Sequence, residues 1–396
     1  MAYLLDWLNL LVRWFHFVAG ISWIGASFYF VWLDDSLREP KRAEDRENGV
    51  FGELWAVHGG GFYHSRKYPT GPKREPLPEG LHWFKWEAYS TWLSGMALLA
   101  IVYWAGATSF LIDPSVMALT PGAAISISIA SLAIGWFVYD GLCRLFERQA
   151  RLLALCVFVF LAFSSWALFH VFSGRAAFIH VGAIIGTIMV ANVFFVIIPG
   201  QRRVLAQIRA GQAPDSRPGM LGKMRSVHNT YLTLPVLFIM ISNHYPMTYA
   251  NPNGWMALIG LGVAGVLVRY FFVLTHRARF NWVLPALATV VIVAVAIGLA
   301  PRAVPVAASA PVGFARVAPV FAQRCAVCHS AHPAYPGFTT APAGVLLDTP
   351  ARIVANAPRI EIQAVKTHAM PLGNSTHMTD GERSLVGAWI DQGAHL

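Results

Sequence analysis

Residues 8–33 read LNLLVRWFHFVAGISWIGASFYFVWL, an apolar run interrupted only by Arg13 and His16. At 1.5 Å per residue such a helix is about 39 Å long, more than the roughly 30 Å of hydrocarbon in a bilayer. It is not a cleavable leader: acidic Asp6 precedes it, the run is too long, and no small-x-small cleavage site follows. The same length criterion picks out 89–112, 122–141, 152–170, 178–198, 226–243, 254–275 and 281–300, which makes eight spans, the sixth weakened by Pro235. Composition agrees. Of 396 residues 56% are hydrophobic and only 13% charged, against about a quarter charged in an ordinary soluble domain. The mean hydropathy is +0.51. A soluble globule and a disordered chain are both excluded, and the expected fold class is all-α, a polytopic membrane helix bundle followed by a small soluble domain.

The loops test the count. Segment 34–88 carries nine Lys/Arg, 142–151 three, 199–225 six and 276–280 two, whereas 113–121 and 244–253 carry none and 171–177 only Arg175. This alternation is the positive-inside signature. It puts both termini on the outer, periplasmic side of a bacterial inner membrane and explains the net charge of +10 by contact with anionic lipid. No basic run is interleaved with aromatics on a polar segment, so nucleic acid is not expected as a partner.

Composition divides the chain into a membrane part, 1–300, a Pro/Ala-rich linker, 301–313, and a soluble tail, 314–396. The tail holds Cys325-Ala326-Val327-Cys328-His329. Two thiols at this spacing reach the two vinyl groups of one haem, and the adjacent imidazole supplies an axial ligand. A zinc site needs further Cys/His at matching spacing, and there is no second CxxC. Met370-Pro371 offers the sixth ligand as a thioether, with Met378, His368 and His377 as alternatives. Thr379-x-x-Glu382 reads as a capping box opening a last helix with Leu385, Val386, Trp389 and Ile390 on one side. Helix, CxxCH, loop, Met-Pro, helix is the order of a class I cytochrome c, which the tail resembles, with covalent haem c as its cofactor.

Ionisable groups within spans are costly and are functional candidates by default. Arg13 and His16, three apart, share a helix face in the outer half of the first span. The following Ser22–Ser27 stretch is rich in small residues and suited to close packing. His170, His180 and His244 fall near outer helix ends, and His16, His180 and His244 are candidates to converge on one site. Asn192 lies mid-helix in the fifth span. Arg269 has an easy reading as a snorkelling side chain, and Asp140 and His276 as interfacial ones. On the inner side His58, Gly59-Gly60-Gly61, His64, His82 and His228-Asn229 form a second group. The glycines are no phosphate loop, since no Gly-Lys-Ser/Thr follows, and His58 with His64 is a weakly spaced metal pair. A second haem or a metal in the membrane part is left open.

Taken together, LVRWFHFVAGISWIGASFYF, VHGGGFYH, LHWFKWEAYSTWLSG and VHNTYLTLPVLFIMISNHYP, with a cytochrome c fused behind them, resemble the PuuD-type membrane-bound urate oxidases, also described as urate hydroxylases, over essentially the whole chain. The resemblance implies oxidation of urate to 5-hydroxyisourate in purine breakdown, with the fused haem as electron acceptor and a respiratory-chain partner beyond it. Urate at neutral pH is a planar monoanion, suited to a guanidinium, an amide, an aromatic face and a base. Arg13, Asn192, the Trp/Phe residues and His16 are the expected suppliers. The alternatives are an oxidoreductase for another purine or a quinol, and a non-catalytic electron-transfer or haem-handling membrane protein.

Overall fold

The structure is a computed structural model that describes residues 2–300, 311–336 and 338–396. It is mostly helical. Each of the eight predicted spans falls on a helix: α1 (Ala2–Ser36), α2 (Trp86–Leu98, continued by a π-turn Leu99–Trp104), α3 (Pro121–Leu145), α4 (Ala150–Phe169), α5 (Gly174–Ala191, continued through a π-turn Asn192–Ile197 into Ile198–Arg209), α6 (Ser216–Ser242), α7 (Gly254–His276) and α8 (Val283–Gly298). Five of these, α1, α3, α4, the continuous Gly174–Arg209 helix and α7, are long and apolar enough to cross a membrane. Large apolar side chains such as Trp14, Phe137, Phe158, Phe163 and Ile297 point outward, an exposure that water penalises and hydrocarbon does not.

The helices begin where the chemistry says they should. The side chain of Thr120 accepts from Ala123 N–H ahead of Pro121, that of Ser173 from Ala176 N–H, and that of Asp215 from Arg217 N–H, each satisfying a backbone donor that has no intrahelical partner. Helix α5 is the centre of the bundle, with Phe178, Val181, Ile185, Ile188 and Met189 all buried. Its neighbours reach it through glycine. A Cβ at Gly182 would stand 2.5 Å from Ile239 of α6, and one at Gly135 of α3 2.8 Å from Ile184; small residues let helices approach this closely. On α1 the close approach comes at buried Ala19 and Gly20, the latter next to Thr91 and Met240, whereas a Cβ at Gly25 would meet nothing within 4 Å. Gly25 of the Ser22–Ser27 stretch therefore does not close a helix pair.

Two features depart from the sequence reading. The second span bends at Gly106 and ends in a separate π-turn, Ala107–Leu111. The long basic loop folds into an antiparallel hairpin, β1 (Gly52–His58) and β2 (Gly61–Lys67), in the register Trp55↔His64 and His58↔Gly61. Gly59 and Gly60 take φ of +57° and +80°, the positive values a two-residue hairpin turn requires.

The tail forms its own core. Helix α9 (Phe314–Val320), α10 (Pro350–Ala355) and α11 (Asp380–Asp391) bury Val317, Phe321, Ile353, Val386 and Trp389. The rings of Phe314 and Phe321 meet Trp389 at 5.8 and 5.7 Å. The predicted capping box is present: Thr379 accepts from Glu382 N–H while Glu382 accepts from Thr379 N–H. Most of the predicted linker lies outside the described residues. Its last part belongs to the tail, because Val312 joins the tail core and its N–H donates to Gln392 Oε1 at 2.8 Å.

Candidate functional site

The bundle has a basic face, carrying the hairpin and the Lys/Arg-rich loops, and an opposite face that meets the tail. A cavity of about 1010 Å³ opens at the basic face, of the size that small-molecule sites take. Trp23 and Phe30 of α1 and Trp83 and Phe84 before α2 give it aromatic walls, and Gln201 and Asn229 give it amides. Two acidic residues at the end of α1 fix its cations. Asp34 pairs with Lys67 and Lys223, and Asp35 accepts from Arg277 Nε at 2.9 Å.

Behind Asn229 lies a buried polar network that joins α3, α5 and α6. Asn192 donates to Tyr139 Oη at 3.0 Å and to Asn229 Oδ1 at 2.9 Å. Its own Oδ1 accepts from Arg225 Nη1 at 3.2 Å. Arg225 also donates to Asp140 Oδ1 at 2.6 Å and lies 5.2 Å from the Tyr139 ring centroid. Asn229 donates to Met189 O at 2.9 Å, and Tyr139 Oη lies 2.8 Å from His228 Nδ1. A π-turn begins at Asn192, and such turns concentrate at functional positions.

Arg13 and His16 stand apart from this network. Arg13 donates to Asn9 Oδ1 on its own helix at 3.0 Å and interacts with Arg175 and Tyr103. His16 Nδ1 donates to Thr91 O at 3.0 Å, which leaves Nε2 as its lone-pair nitrogen. Trp23, two turns further along α1, is the residue that packs against Val190 and Val193, so Asn192 lies about 10 Å deeper than His16 along the helix direction. The three expected catalytic residues therefore occupy two places rather than one.

The expected convergence of His16, His180 and His244 does not occur. His180 is fully buried, its Nδ1 donating to Ala176 O and its Nε2 accepting from Ser128 Oγ, each at 2.7 Å; both ring nitrogens are satisfied and it is a core residue. His244 is exposed. His58 and His64 are not paired either. His64 stacks on Trp55 and bonds Glu53 Oε2 at 2.8 Å, and the Lys41 N–H and His64 hold the Glu53 carboxyl below its ordinary value. Among the described residues no group of three or more His, Cys, Asp or Glu gathers as a metal site would. Arg269 does not snorkel. It is buried with its guanidinium 4.1 Å from the Phe28 ring centroid.

The sequence reading missed Arg225, counted as one more loop cation, and Asp140, taken as interfacial. The signal was spacing. Arg225, His228 and Asn229 follow i, i+3, i+4, and Trp136, Tyr139, Asp140 and Cys143 follow i, i+3, i+4, i+7, so each set lies on one helix face.

In the tail, His329 Nδ1 donates to Val345 O at 3.0 Å, which fixes the ring and leaves Nε2 with its lone pair, the usual preparation of a ligating histidine. Cys325 and Cys328 are free thiols. Met370 is half-buried at the edge of the tail core, whereas Met378 is 4% exposed within it. His368 and His377 are turned out on the surface side, the first exposed and the second exposed.

Neither a curated protein nor a solved structure matches the chain. Residues 2–300, the whole helix bundle with its cavity and network, match the family described as urate oxidase N-terminal. The chain belongs to the urate oxidase N-terminal family.

Proposed function

We propose that this protein oxidises urate to 5-hydroxyisourate at the membrane and passes the electrons to a haem c in its own tail. The reaction balances as urate monoanion plus water giving 5-hydroxyisourate, one proton and two electrons. The observation that carries the reading is the joining of a urate oxidase family domain over residues 2–300 to a tail in which His329, oriented by Val345 O, follows two free thiols. Cys325 and Cys328 would hold the haem covalently and His329 ligate it. Met370 is the better sixth ligand, because a ligating thioether borders the cofactor and Met378 is enclosed by protein. The haem, when bound, supplies a one-electron acceptor. On the reading of eight spans with both termini outside, which the alternation of Lys/Arg between loops supports, the tail would lie in the periplasm of a bacterial inner membrane, where a respiratory-chain partner would reoxidise it.

The cavity is the proposed urate chamber. Trp23 and Trp83 offer faces to a planar ring, Gln201 and Asn229 offer amides to its edge, and the surplus of Lys67, Lys223 and Arg277 over Asp34 and Asp35 offsets its charge. Asn192 acts as a positioning residue, holding Asn229 by a hydrogen bond. A second reading puts the anion at the tail face. It is favoured by Arg13 and Arg175, which interact with each other and neither of which forms an ion pair with a carboxylate among the described residues. On that reading His16 is the neighbouring base.

The test is urate-driven reduction of the haem in purified protein, with xanthine and a quinol as competitors, in wild type, Lys223→Met and Arg13→Met. Reduction by urate with KM raised in Lys223→Met supports the chamber; KM raised only in Arg13→Met moves the site to the tail face. Reduction by the quinol but not by urate would overturn the function.

A further inference from the structure

The turn at the end of the second span meets the tail. A Cβ at Gly373 would stand 2.9 Å from Ile112 O and 3.5 Å from Ser109 O, so the backbone at Gly373 lies directly against the carbonyl end of the 107–112 turn. Gly373 is three residues beyond Met370, on the same loop. Arg383 braces this loop from behind, donating to Met370 O at 2.7 Å and to Ala364 O. Asp113, the residue after Ile112, is close enough for its negative charge to act on the Arg383 guanidinium.

On its other side the 107–112 turn is locked to the bundle. Ser173 N–H donates to Leu111 O at 3.0 Å and Ser173 Oγ donates to Phe110 O at 2.9 Å. The Phe110 ring lies 5.4 Å from the Arg175 guanidinium, and Arg175 Nε donates to Asn243 Oδ1 at 3.1 Å. Tyr103, buried beside them, points its hydroxyl toward Arg175 and Asn243 without closing a hydrogen bond of normal geometry.

We infer that the 107–112 turn is the seat on which the tail docks through its Met370 loop, and that electrons enter the tail there. The occupant is this chain's own 370–374 segment. Gly373 is glycine for two reasons: its φ is +56°, and any side chain would push the loop off the Ile112 and Ser109 carbonyls. The docking places the Met370 loop against the turn that Ser173 and the Phe110–Arg175 contact hold to the bundle. This rests on the proposed electron transfer to haem c, but the seat itself has a readout that does not.

Gly344 is the matched control. It lies in the same tail with φ of +66°, and a Cβ there would meet nothing within 4 Å. Gly344→Val therefore imposes the same backbone strain without touching the seat. In full-length protein, amide hydrogen exchange over 109–113 should be faster in Gly373→Val than in wild type or Gly344→Val. Haem reduction by urate should fall several-fold in Gly373→Val, while reduction by ascorbate, a small reductant needing no docking, should not. Should Gly373→Val disturb the tail's fold, Asp113→Lys perturbs the seat from the bundle side and should speed exchange over 371–375. Equal exchange in Gly373→Val and Gly344→Val, or exchange over 371–375 unchanged in Asp113→Lys, would overturn the seat. Absence of urate-driven reduction in wild type would overturn the function instead, and the exchange comparison would still decide the docking.

Discussion

Replacing Asn192 with leucine tests the buried network. The side chain is fully buried and makes three hydrogen bonds, two donated and one accepted. Leucine is similar in size and suits a helix, so packing is nearly preserved. Two partners are left without their bond: Asn229 Oδ1 and Arg225 Nη1. Tyr139 Oη keeps its bond to His228. An orphaned buried polar group costs about 1–3 kcal/mol, so the substitution should destabilise the bundle by roughly 2–6 kcal/mol. At roughly 2 °C per kcal/mol for a chain of this size, the midpoint of thermal unfolding in detergent should fall by ~4–12 °C. Asn229, no longer held, should also read the substrate less well, so KM for urate should rise while covalent haem content stays at the wild-type level. A midpoint within about 1 °C of wild type, together with unchanged KM, would refute the network as a support of the chamber.

Three further outcomes concern the tail. Cys325→Ala and Cys328→Ala should each lose full covalent haem staining, and full staining in both would defeat the assignment. Met370→Ala should lower the haem potential and abolish the weak red-end absorption of thioether ligation, whereas Met378→Ala should keep that absorption and cost about 2–5 kcal/mol of tail stability as a core cavity; the reverse pattern would exchange their roles. Although partial burial opposes it, the Thr379 N–H and the Arg324 guanidinium hold the Glu382 carboxyl below its ordinary value. A lowered folded-state pKa adds stability that is present above the unfolded value, about 4.3, and is lost as pH falls through the folded one. Glu382→Gln should therefore unfold more easily than wild type near neutral pH and converge with it in acid, and a constant difference across the range would contradict this.

How much of this was legible in the sequence depended on the period of the signal. Residues 8–33, 178–198 and 254–275 announce helices by apolar length alone, and each appears. The capping box of the tail was readable because Thr379-x-x-Glu382 is a local pattern whose partners lie three residues apart. The hairpin was missed because Gly59-Gly60 was weighed only against a phosphate loop, and two glycines between alternating residues are also a hairpin turn. The network was missed for another reason. Arg225 looks like a loop cation until α6 is seen to begin at Ser216, ten residues before the apolar run, and its partner Asp140 sits on a helix 85 residues away. Arg13 and His16 were correctly placed on one face of α1, but nothing in their spacing reveals that Asn192 lies two turns deeper.

The central claim is tested most directly by titrating the oxidised, full-length protein with urate under anaerobic conditions while following the haem spectrum and the urate consumed. The account predicts that the haem is reduced, that two equivalents of haem are reduced for each urate lost, as the balanced reaction requires, and that no oxygen is needed and no peroxide forms. Urate consumption that requires oxygen and releases peroxide while the haem stays oxidised would contradict it.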